Sequence, residues 1–134
     1  MPFLAAARTH IEDADAELLS ASIRVVHDEE ILLDYARGER FSVVLYLSQR
    51  VDAAAKRDMA HLTRALVSTA LDHDGTFYLP YQQHYTRTEL QRAYPMVDDF
   101  FALKARHDPD LLFQTSFSGR YADRERTADG TPGA

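Results

Sequence analysis

The sequence predicts an α+β fold in which helices cover one face of an antiparallel sheet. Strand-like and helix-like segments are too few and too mixed in order for a doubly wound parallel sheet. Each segment also has an apolar side that a neighbouring element must bury. The 134 residues have room for one domain with a real hydrophobic core. We expect residues 1–118 to form that domain and the small, polar, charged residues 119–134 to form a disordered tail.

The first half of the chain predicts two helices and two strands. Apolar residues three or four apart indicate a helix over residues 2–16, with Leu4, Ala7, Ile11 and Ala14 on its apolar side. Period-two alternation indicates strands over Leu19–Val26 and Phe41–Ser48; the second is apolar on both faces and should lie centrally. Asp52 can cap a long helix that Gly75 ends. The expected inner side of that helix consists of Ala55, Met59, Leu62, Leu66 and Thr69.

Residues 27–40 show no regular pattern beyond the turn that Gly38 marks. Thr76–Tyr81 is strand-like, but Pro80 cannot donate to a ladder, which places this segment at a sheet edge. Thr86 and Glu89 have the spacing of a capping box and predict a short helix. Pro95 suits the first turn of another helix that ends at Asp108-Pro109, with Met96, Phe100 and Leu103 as its buried stripe. This set of elements favours a ferredoxin-like arrangement.

Composition excludes several classes of partner. The net charge of −6 and the pI near 5.4 argue against nucleic acid, which needs a cationic footprint. No apolar run approaches the ~20 residues of a membrane span, and the opening residues lack the features of a signal peptide. The chain has no cysteine, so disulfides and thiolate metal sites are excluded. We expect a soluble, cytoplasmic protein.

The main candidate site consists of three phenols and an imidazole within eight residues, at Tyr78, Tyr81, His84 and Tyr85. Phenols offer an apolar body with a polar tip and histidine exchanges protons near neutral pH, so together they suit the wall of a pocket for a polar organic substrate. The alternative is that Tyr78 belongs to the core and the others are surface aromatics, since aromatic residues are common structural residues.

Arg24 is the only charge in an otherwise uncharged strand, where it could anchor an acidic substrate group or an anionic reduced cofactor. A salt bridge to an acid at the sheet edge is the favoured interpretation. His27–Glu30 and Asp72–Asp74 are rich in possible ligands, but neither spacing converges on a metal ion. No nucleophile elbow and no glycine-rich phosphate loop is present, because the five glycines are isolated or confined to the tail.

A resemblance to a known protein family adds to the interpretation of the candidate site. From Gly75 to Phe113 the chain resembles the C-terminal end of FAD-linked oxidases of the vanillyl-alcohol oxidase and p-cresol methylhydroxylase type. The residues that carry the resemblance follow in a fixed order: Tyr78-Leu79-Pro80-Tyr81, His84, Tyr94-Pro95, Phe100-Phe101, Lys104, Asp108-Pro109 and Leu112-Phe113. Weaker similarity extends over residues 18–121. The resemblance implies a substrate-binding cap domain whose FAD-binding half is absent from this chain.

The resemblance also implies roles for individual residues. Tyr78 and Tyr81 would face the substrate and the flavin, His84 would lie just behind them as a proton relay, and relatives often carry an arginine in the strand that holds Arg24. Some relatives have a lysine at the position of Tyr81, or a His-Trp-Gly-Lys motif nearby; this chain has neither lysine.

Two functions are carried forward. In the first, the chain is the cap domain of an FAD-dependent oxidoreductase that oxidises an alcohol-type substrate by hydride transfer to flavin. Its partner is an FAD-binding domain in the same longer chain or in a separate subunit, and the chain alone does no flavin chemistry. In the second, it is a free-standing domain that dimerises through its sheet and encloses a small ligand or catalyses a cofactor-free oxygenation. A homodimer is expected in that case.

Overall fold

The structure of the protein, a computed structural model that describes residues 2–122, has five helices and one two-stranded antiparallel sheet in that range. This confirms the α+β class. The ferredoxin-like arrangement is not confirmed, because the described residues form two strands rather than a larger sheet. The elements in chain order are α1 (Pro2–Asp13), β1 (Leu18–Val26), β2 (Arg40–Leu47), α2 (Ala53–Asp72), α3 (Arg87–Ala93), α4 (Val97–His107) and α5 (Ser116–Tyr121).

Side-chain caps begin α2 and α3 where the sequence predicts them. Asp52 Oδ1 accepts a hydrogen bond from the amide of Ala55 at 2.9 Å. At α3 the capping box is complete: Thr86 Oγ1 accepts from the amide of Glu89 at 3.2 Å, and Glu89 Oε2 accepts from the amide of Thr86 at 2.6 Å. Amides that the helix leaves unpaired are therefore satisfied locally.

Each of the two long N-terminal helices is followed, two residues beyond its end, by an aspartate with positive φ. Helix α1 stops at Asp13, short of the predicted end at residue 16, and Asp15 follows with φ 49°. Helix α2 stops at Asp72, and Asp74 takes φ 56° before Gly75 donates its amide to the carbonyl of Ala70 at 2.8 Å. A Cβ atom on Gly75 would lie 2.9 Å from that carbonyl oxygen. Gly75 therefore permits a close approach of backbone to backbone, as well as marking the predicted stop.

Strands β1 and β2 form an antiparallel ribbon with two different faces. Ile23 pairs with Val43 and Arg24 pairs with Ser42, so the alternation read from the sequence sets the side chains on the expected faces. The apolar face consists of Ala21, Ile23, Val25, Phe41, Val43, Leu45 and Leu47. The opposite face, which we call the inner face, consists of Ser22, Arg24, Val26, Arg40, Ser42, Val44 and Tyr46. The prediction that β2 is central is wrong, because each strand of a two-stranded sheet has an open edge.

The strand predicted at Thr76–Tyr81 does not form. Thr76 is tied to another loop, with its Oγ1 donating to the carbonyl of Tyr35 at 2.6 Å, and the chain turns at Pro80. No strand of the ribbon offers this segment a ladder, and Pro80 has no amide to contribute. The alternation nevertheless survives as far as Pro80, since Phe77 and Leu79 pack against the core while Tyr78 is exposed. Tyr81 lies beyond the turn and is also exposed.

The main core lies in the C-terminal half. Leu90, Tyr94 and Val97 are its most deeply buried large side chains. Val67 and Leu71 of α2 complete it on one side and Tyr121 of α5 on another. The predicted inner side of α2 is only partly right, because Leu62 is buried whereas Ala55, Met59, Leu66 and Thr69 are half-buried. Helix α2 buries one side against α1 and another in the C-terminal core.

The buried stripe of α4 is displaced by one position from the prediction. Val97 and Phe101 are buried, whereas Met96 and Leu103 are 46% and 37% exposed and Phe100 is half-buried. Met96 precedes the helix as its N-cap residue, so the helix begins two residues after Pro95. The turn between α3 and α4 fixes this rotation through the amide of Val97, which donates to the carbonyl of Tyr94 at 3.0 Å.

The domain boundary predicted after residue 118 falls inside α5, which runs to a buried Tyr121. Thr115 and Ser118 form a second capping box at its start, which the sequence analysis missed. The remainder of the predicted tail lies outside the described residues. Across residues 2–122, no helix combines the length and the apolar character needed to cross a membrane.

Candidate functional site

Two of the predicted site residues lie side by side on the surface. Tyr78 and Tyr81 are 49% and 63% exposed, and their rings meet edge to face with centroids 5.0 Å apart. Tyr78 also meets Tyr35 edge to face at 5.6 Å. We call these three residues the tyrosine row. Edge-to-face packing fixes the ring positions, and the exposed rings of Tyr78 and Tyr81 remain accessible to a ligand.

Hydrogen bonds and ring contacts hold the segments that supply the tyrosine row. The hydrogen bond from Thr76 to the carbonyl of Tyr35 joins the two segments that supply the row. Immediately beyond it, the hydroxyl of Tyr94 donates to the carbonyl of Phe77, whose ring packs against Tyr85 and Tyr94. An anchored Phe77 turns Tyr78 outward, because successive side chains of an extended segment point in opposite directions.

Arg24 lies on the inner face of the ribbon, directly across from Ser42. Residues opposite each other in an antiparallel pair have Cβ atoms about 5 Å apart. Ser42 Oγ hydrogen-bonds the hydroxyl of Tyr35 at 2.7 Å, which links the arginine position to the tyrosine row. Tyr35 and Ser42, which the sequence did not single out, thus connect the strand position of Arg24 with Tyr78 and Tyr81.

The salt bridge favoured for Arg24 is absent among residues 2–122. Its side chain is exposed, and no carboxylate in that range lies within ion-pair distance of it. The neighbouring Arg40, in contrast, pairs with Asp74 at 3.1 Å. Arg24 thus supplies a positive charge without a carboxylate partner in that range, across the strand pair from Ser42.

His84 occupies a different position from the tyrosine row. Its Nε2 is 2.8 Å from Gln82 Oε1, and its carbonyl accepts a hydrogen bond from Arg64 Nε at 2.8 Å. It borders an open hollow of about 390 Å³ whose other lining residues are Gln49, Arg50, Val51, Lys56 and Gln82. Partial burial, helped by the charges of Arg120 and Arg64, lowers the pKa of His84, so its imidazole is neutral at pH 7 and able to accept a proton.

Tyr85 is a core residue rather than part of the site. It is 3% exposed, stacks on Tyr121 with centroids 5.0 Å apart, and packs against Phe77 at 4.3 Å. Burial raises the pKa of its hydroxyl far above the ordinary value, so it does not ionise near neutral pH. The alternative that placed Tyr78 in the core is also wrong, because Tyr78 is half exposed and Tyr85 takes the buried place.

The acidic clusters bind backbone and neighbouring side chains. Asp28 Oδ1 accepts from the amide of Gly38 at 2.7 Å, and Glu29 Oε2 accepts from the amide of Tyr35 at 2.9 Å. These bonds order the segment between the strands, including the turn at Gly38 with φ 90°. Asp72 pairs with Arg92 at 3.1 Å. These carboxylates therefore stabilise the fold.

Much of the motif that carries the resemblance is structural in this fold. Asp108 accepts a bond from Lys104 Nζ at 2.6 Å and from the amides of Leu112 and Phe113 at 2.8 and 3.1 Å. Lys104, followed by the two amides, holds the pKa of Asp108 below its usual range. We call this group the Asp108 latch. It fixes the turn that includes Leu111 at φ 52° and leads into α5.

Tyr35 is the site residue that sequence reasoning missed. It lies in the segment 27–40, which carries no periodic signal, and only the tertiary structure places it against Tyr78. Ser42 had a detectable signal, since antiparallel pairing of the two predicted strands sets it near Arg24. Comparison with known proteins adds no identity: no family model, no curated protein and no solved structure matches this chain.

Proposed function

We propose that this chain is the C-terminal substrate-binding cap domain of an FAD-dependent oxidoreductase that oxidises an alcohol-type substrate. The observation that carries the proposal is the tyrosine row with its exposed Tyr78 and Tyr81, connected through Ser42 to the strand position of the unpaired Arg24. Exposed aromatic rings are costly to leave in water and suit a surface that closes over a ligand. An arginine without a carboxylate partner can pair with an acidic group on that ligand. The ordered residues from Gly75 to Phe113 support the same class of enzyme.

The residues present fit one part of FAD and not the other. Ring faces of Tyr78 and Tyr81 suit contact with a flat ring system, and the guanidinium of Arg24 suits a negatively charged group on it. The pyrophosphate needs closely packed backbone amides, and none of the isolated glycines in this sequence forms a phosphate loop. The FAD-binding domain is therefore assigned to another part of a longer chain or to a separate subunit.

The share of the reaction assigned to this chain is positioning. When bound, the flavin would supply the hydride acceptor at N5. Tyr78 and Tyr81 orient the substrate over the ring, and Arg24 offers charge to its acidic groups. His84 remains the proposed proton relay. It lies in the same loop as Tyr81, and bound water would carry the proton between its imidazole and the substrate.

The first experiment is to determine the size of the native gene product and whether it contains flavin. An antibody against this domain would identify the product in a lysate of the source organism, and the purified product would be examined for visible flavin absorbance. A yellow product several times larger than this chain supports the cap-domain proposal. A colourless product of this chain's own size contradicts it and favours the free-standing ligand-binding or cofactor-free domain.

Variants of that native product then test the site. Tyr81→Phe, Tyr78→Phe and Arg24→Ala should lower kcat/KM by roughly tenfold or more while flavin content stays unchanged, because each removes a positioning contact. Tyr46→Phe is the matched control, since Tyr46 is a similarly exposed tyrosine, at 52%, outside the row. If the Tyr46 variant loses as much activity as the other variants, the tyrosine row has no special role.

A further inference from the structure

An open hollow lies where the link between β2 and α2 meets the loop before α3. Its volume of about 390 Å³ falls within the usual range of about 300–1,000 Å³ for small-molecule sites. The link contributes residues 49–51, the first turn of α2 contributes Lys56, and the loop contributes Gln82 and His84. Three separate segments therefore converge on one cavity that is large enough for a small ligand.

A chain of side-chain hydrogen bonds runs along the hollow. Gln82 Nε2 donates to Gln49 Oε1 at 3.3 Å, so the carbonyl oxygen of the Gln82 amide is the atom that faces His84. That oxygen lies 2.8 Å from His84 Nε2, which therefore carries the proton of the neutral imidazole. The amide nitrogen of Gln49 has no acceptor among residues 2–122. A donor that a ligand can use thus belongs to the lining of the hollow.

Positive charge is concentrated around this hollow, although the chain as a whole carries a net charge of −6. Lys56 has no carboxylate within ion-pair distance among the described residues. Arg64 lies about two turns further along α2 and donates its Nε to the carbonyl of His84 at 2.8 Å. The charges of Arg64 and Arg120 both disfavour protonation of His84. Because a cleft lined by charges of one sign concentrates ions of the other, the hollow attracts anions.

The carboxylate at the rim of the hollow is already engaged. Asp52 pairs with Arg50 at 2.9 Å and accepts the amide of Ala55 as the N-cap residue of α2. The bond from Ala55, followed by the bond from Arg50, holds the pKa of Asp52 below its usual range. Arg50 is therefore largely neutralised, and the N-terminus of α2 is capped by its own chain. The attraction for an anion comes instead from Lys56 and the two more distant arginines.

We propose that this hollow binds the phosphate group of a small molecule. Lys56 supplies a compact positive charge that does not require one direction of approach, and Gln49 supplies an uncharged donor. The surrounding charges come from α2 and, through Arg120, from α5. Charges on several sides suit a tetrahedral group with three anionic oxygens better than a planar carboxylate, which pairs with a single guanidinium fork. The site is separate from the tyrosine row and does not depend on the flavin proposal.

An NMR titration of this chain with inorganic phosphate, at an ionic strength held constant with sodium chloride, tests the proposal. The imidazole signals of His84, assigned by their loss in His84→Gln, should shift in a saturable way with a dissociation constant on the order of 1 mM. Bound phosphate should also raise the pKa of His84, because an anion beside the ring favours its charged form.

Charge variants on α2 then locate the site. Lys56→Gln should raise the dissociation constant for phosphate by roughly fivefold or more, whereas Lys56→Arg keeps the charge and should stay within about twofold of wild type. Arg57→Gln is the matched control, because it removes the same unit charge at the next residue, which does not line the hollow. Its effect should be under about twofold, since salt screens distant charges. Far-UV circular dichroism checks that each variant is folded, as similar helix propensities lead us to expect.

Three results would overturn the proposal. The first is the absence of a saturable shift at His84 up to roughly 50 mM phosphate, far above the expected constant. The second is equal weakening by Lys56→Gln and Arg57→Gln, which would show a diffuse effect of net charge. The third is acetate binding as tightly as phosphate, which would remove the assignment to the phosphate class. None of them bears on the flavin proposal, which is tested by the variants in the tyrosine row and at Arg24.

Discussion

The C-terminal region from Phe77 to Tyr121 and the ribbon of β1 and β2 are built on opposite principles. The first buries Leu90, Tyr94 and Val97 to 1% exposure or less. The second has a single buried residue, Ser42, and its largest apolar side chains are about half exposed. Close packing stabilises the C-terminal region from within, whereas residues 2–122 leave the apolar face of the ribbon largely exposed.

Polar groups follow the same division. In the C-terminal region the hydroxyls of Tyr94 and Tyr121 donate to backbone carbonyls, and the Asp108 latch satisfies two further amides. On the ribbon, Arg24 stays unpaired among the described residues. The comparison teaches that residues of the ordered motif serve mainly to hold the fold, while the groups available for ligands or partners lie at its exposed margin.

The largest expected effect comes from truncating a buried side chain in the C-terminal core. Leu90→Ala should lower the free energy of unfolding by about 2–5 kcal/mol, since the leucine is fully buried and its removal leaves a cavity. Leu19→Ala, at a leucine of β1 that is 65% exposed, should cost under about 0.5 kcal/mol. Urea unfolding at low protein concentration, where mass action favours the monomer, measures both. Equal losses would show that the ribbon carries as much stability as the core.

Breaking the Asp108 latch should give the next largest loss. Asp108→Asn removes the ion pair with Lys104 and weakens two bonds to backbone amides, so the melting temperature should fall. Because the pKa of Asp108 is lowered in the folded state, its contribution is present above the ordinary value of 3.8 and is lost as the pH falls below it. Asp110→Asn, two residues away and exposed, is the control. Thermal unfolding should separate the two variants more widely at pH 7 than at pH 3.

The same Tyr→Phe substitution should change the free energy of unfolding differently at the two stacked tyrosines. Tyr121→Phe deletes a hydroxyl that donates to the carbonyl of Tyr85 and should cost about 1 kcal/mol. Tyr85→Phe deletes a buried hydroxyl that has no hydrogen-bond partner among the described residues, so stability should be unchanged or increased. Each variant is the other's control in denaturant unfolding. A clear loss for Tyr85→Phe would reveal a partner for that hydroxyl in the folded protein.

The smallest expected effect is a pH dependence at His84. Its lowered pKa means that the unfolded chain takes up a proton at higher pH than the folded protein does. Stability from this residue is therefore full above the ordinary pKa of 6.5 and falls as the pH drops below it. His84→Gln should flatten the stability profile between roughly pH 6.5 and 5, with His61→Gln at an exposed position of α2 as the baseline. Identical profiles for the two variants would remove this role from His84.

Local signals in the sequence determined most of the secondary structure of this protein. The capping residues Asp52 and Thr86 begin their helices, and the alternation in β1 and β2 sets the two faces of the ribbon. These features depend on neighbours within four residues or on the period of a strand, so they can be read without the fold. The site residues Tyr78, Tyr81 and Arg24 were also chosen from the sequence, on resemblance and residue type.

Tertiary structure decided what those residues meet. Thr76–Tyr81 has no neighbouring strand to pair with, and α4 is rotated so that Val97 and Phe101 face inward. Tyr85, rather than Tyr78, lies in the core. It also brought Tyr35, from a segment without any periodic pattern, against Tyr78. Each of these outcomes depends on contacts between residues distant in sequence. A local pattern records which side chains are apolar, but only the packed fold selects the ones that are buried.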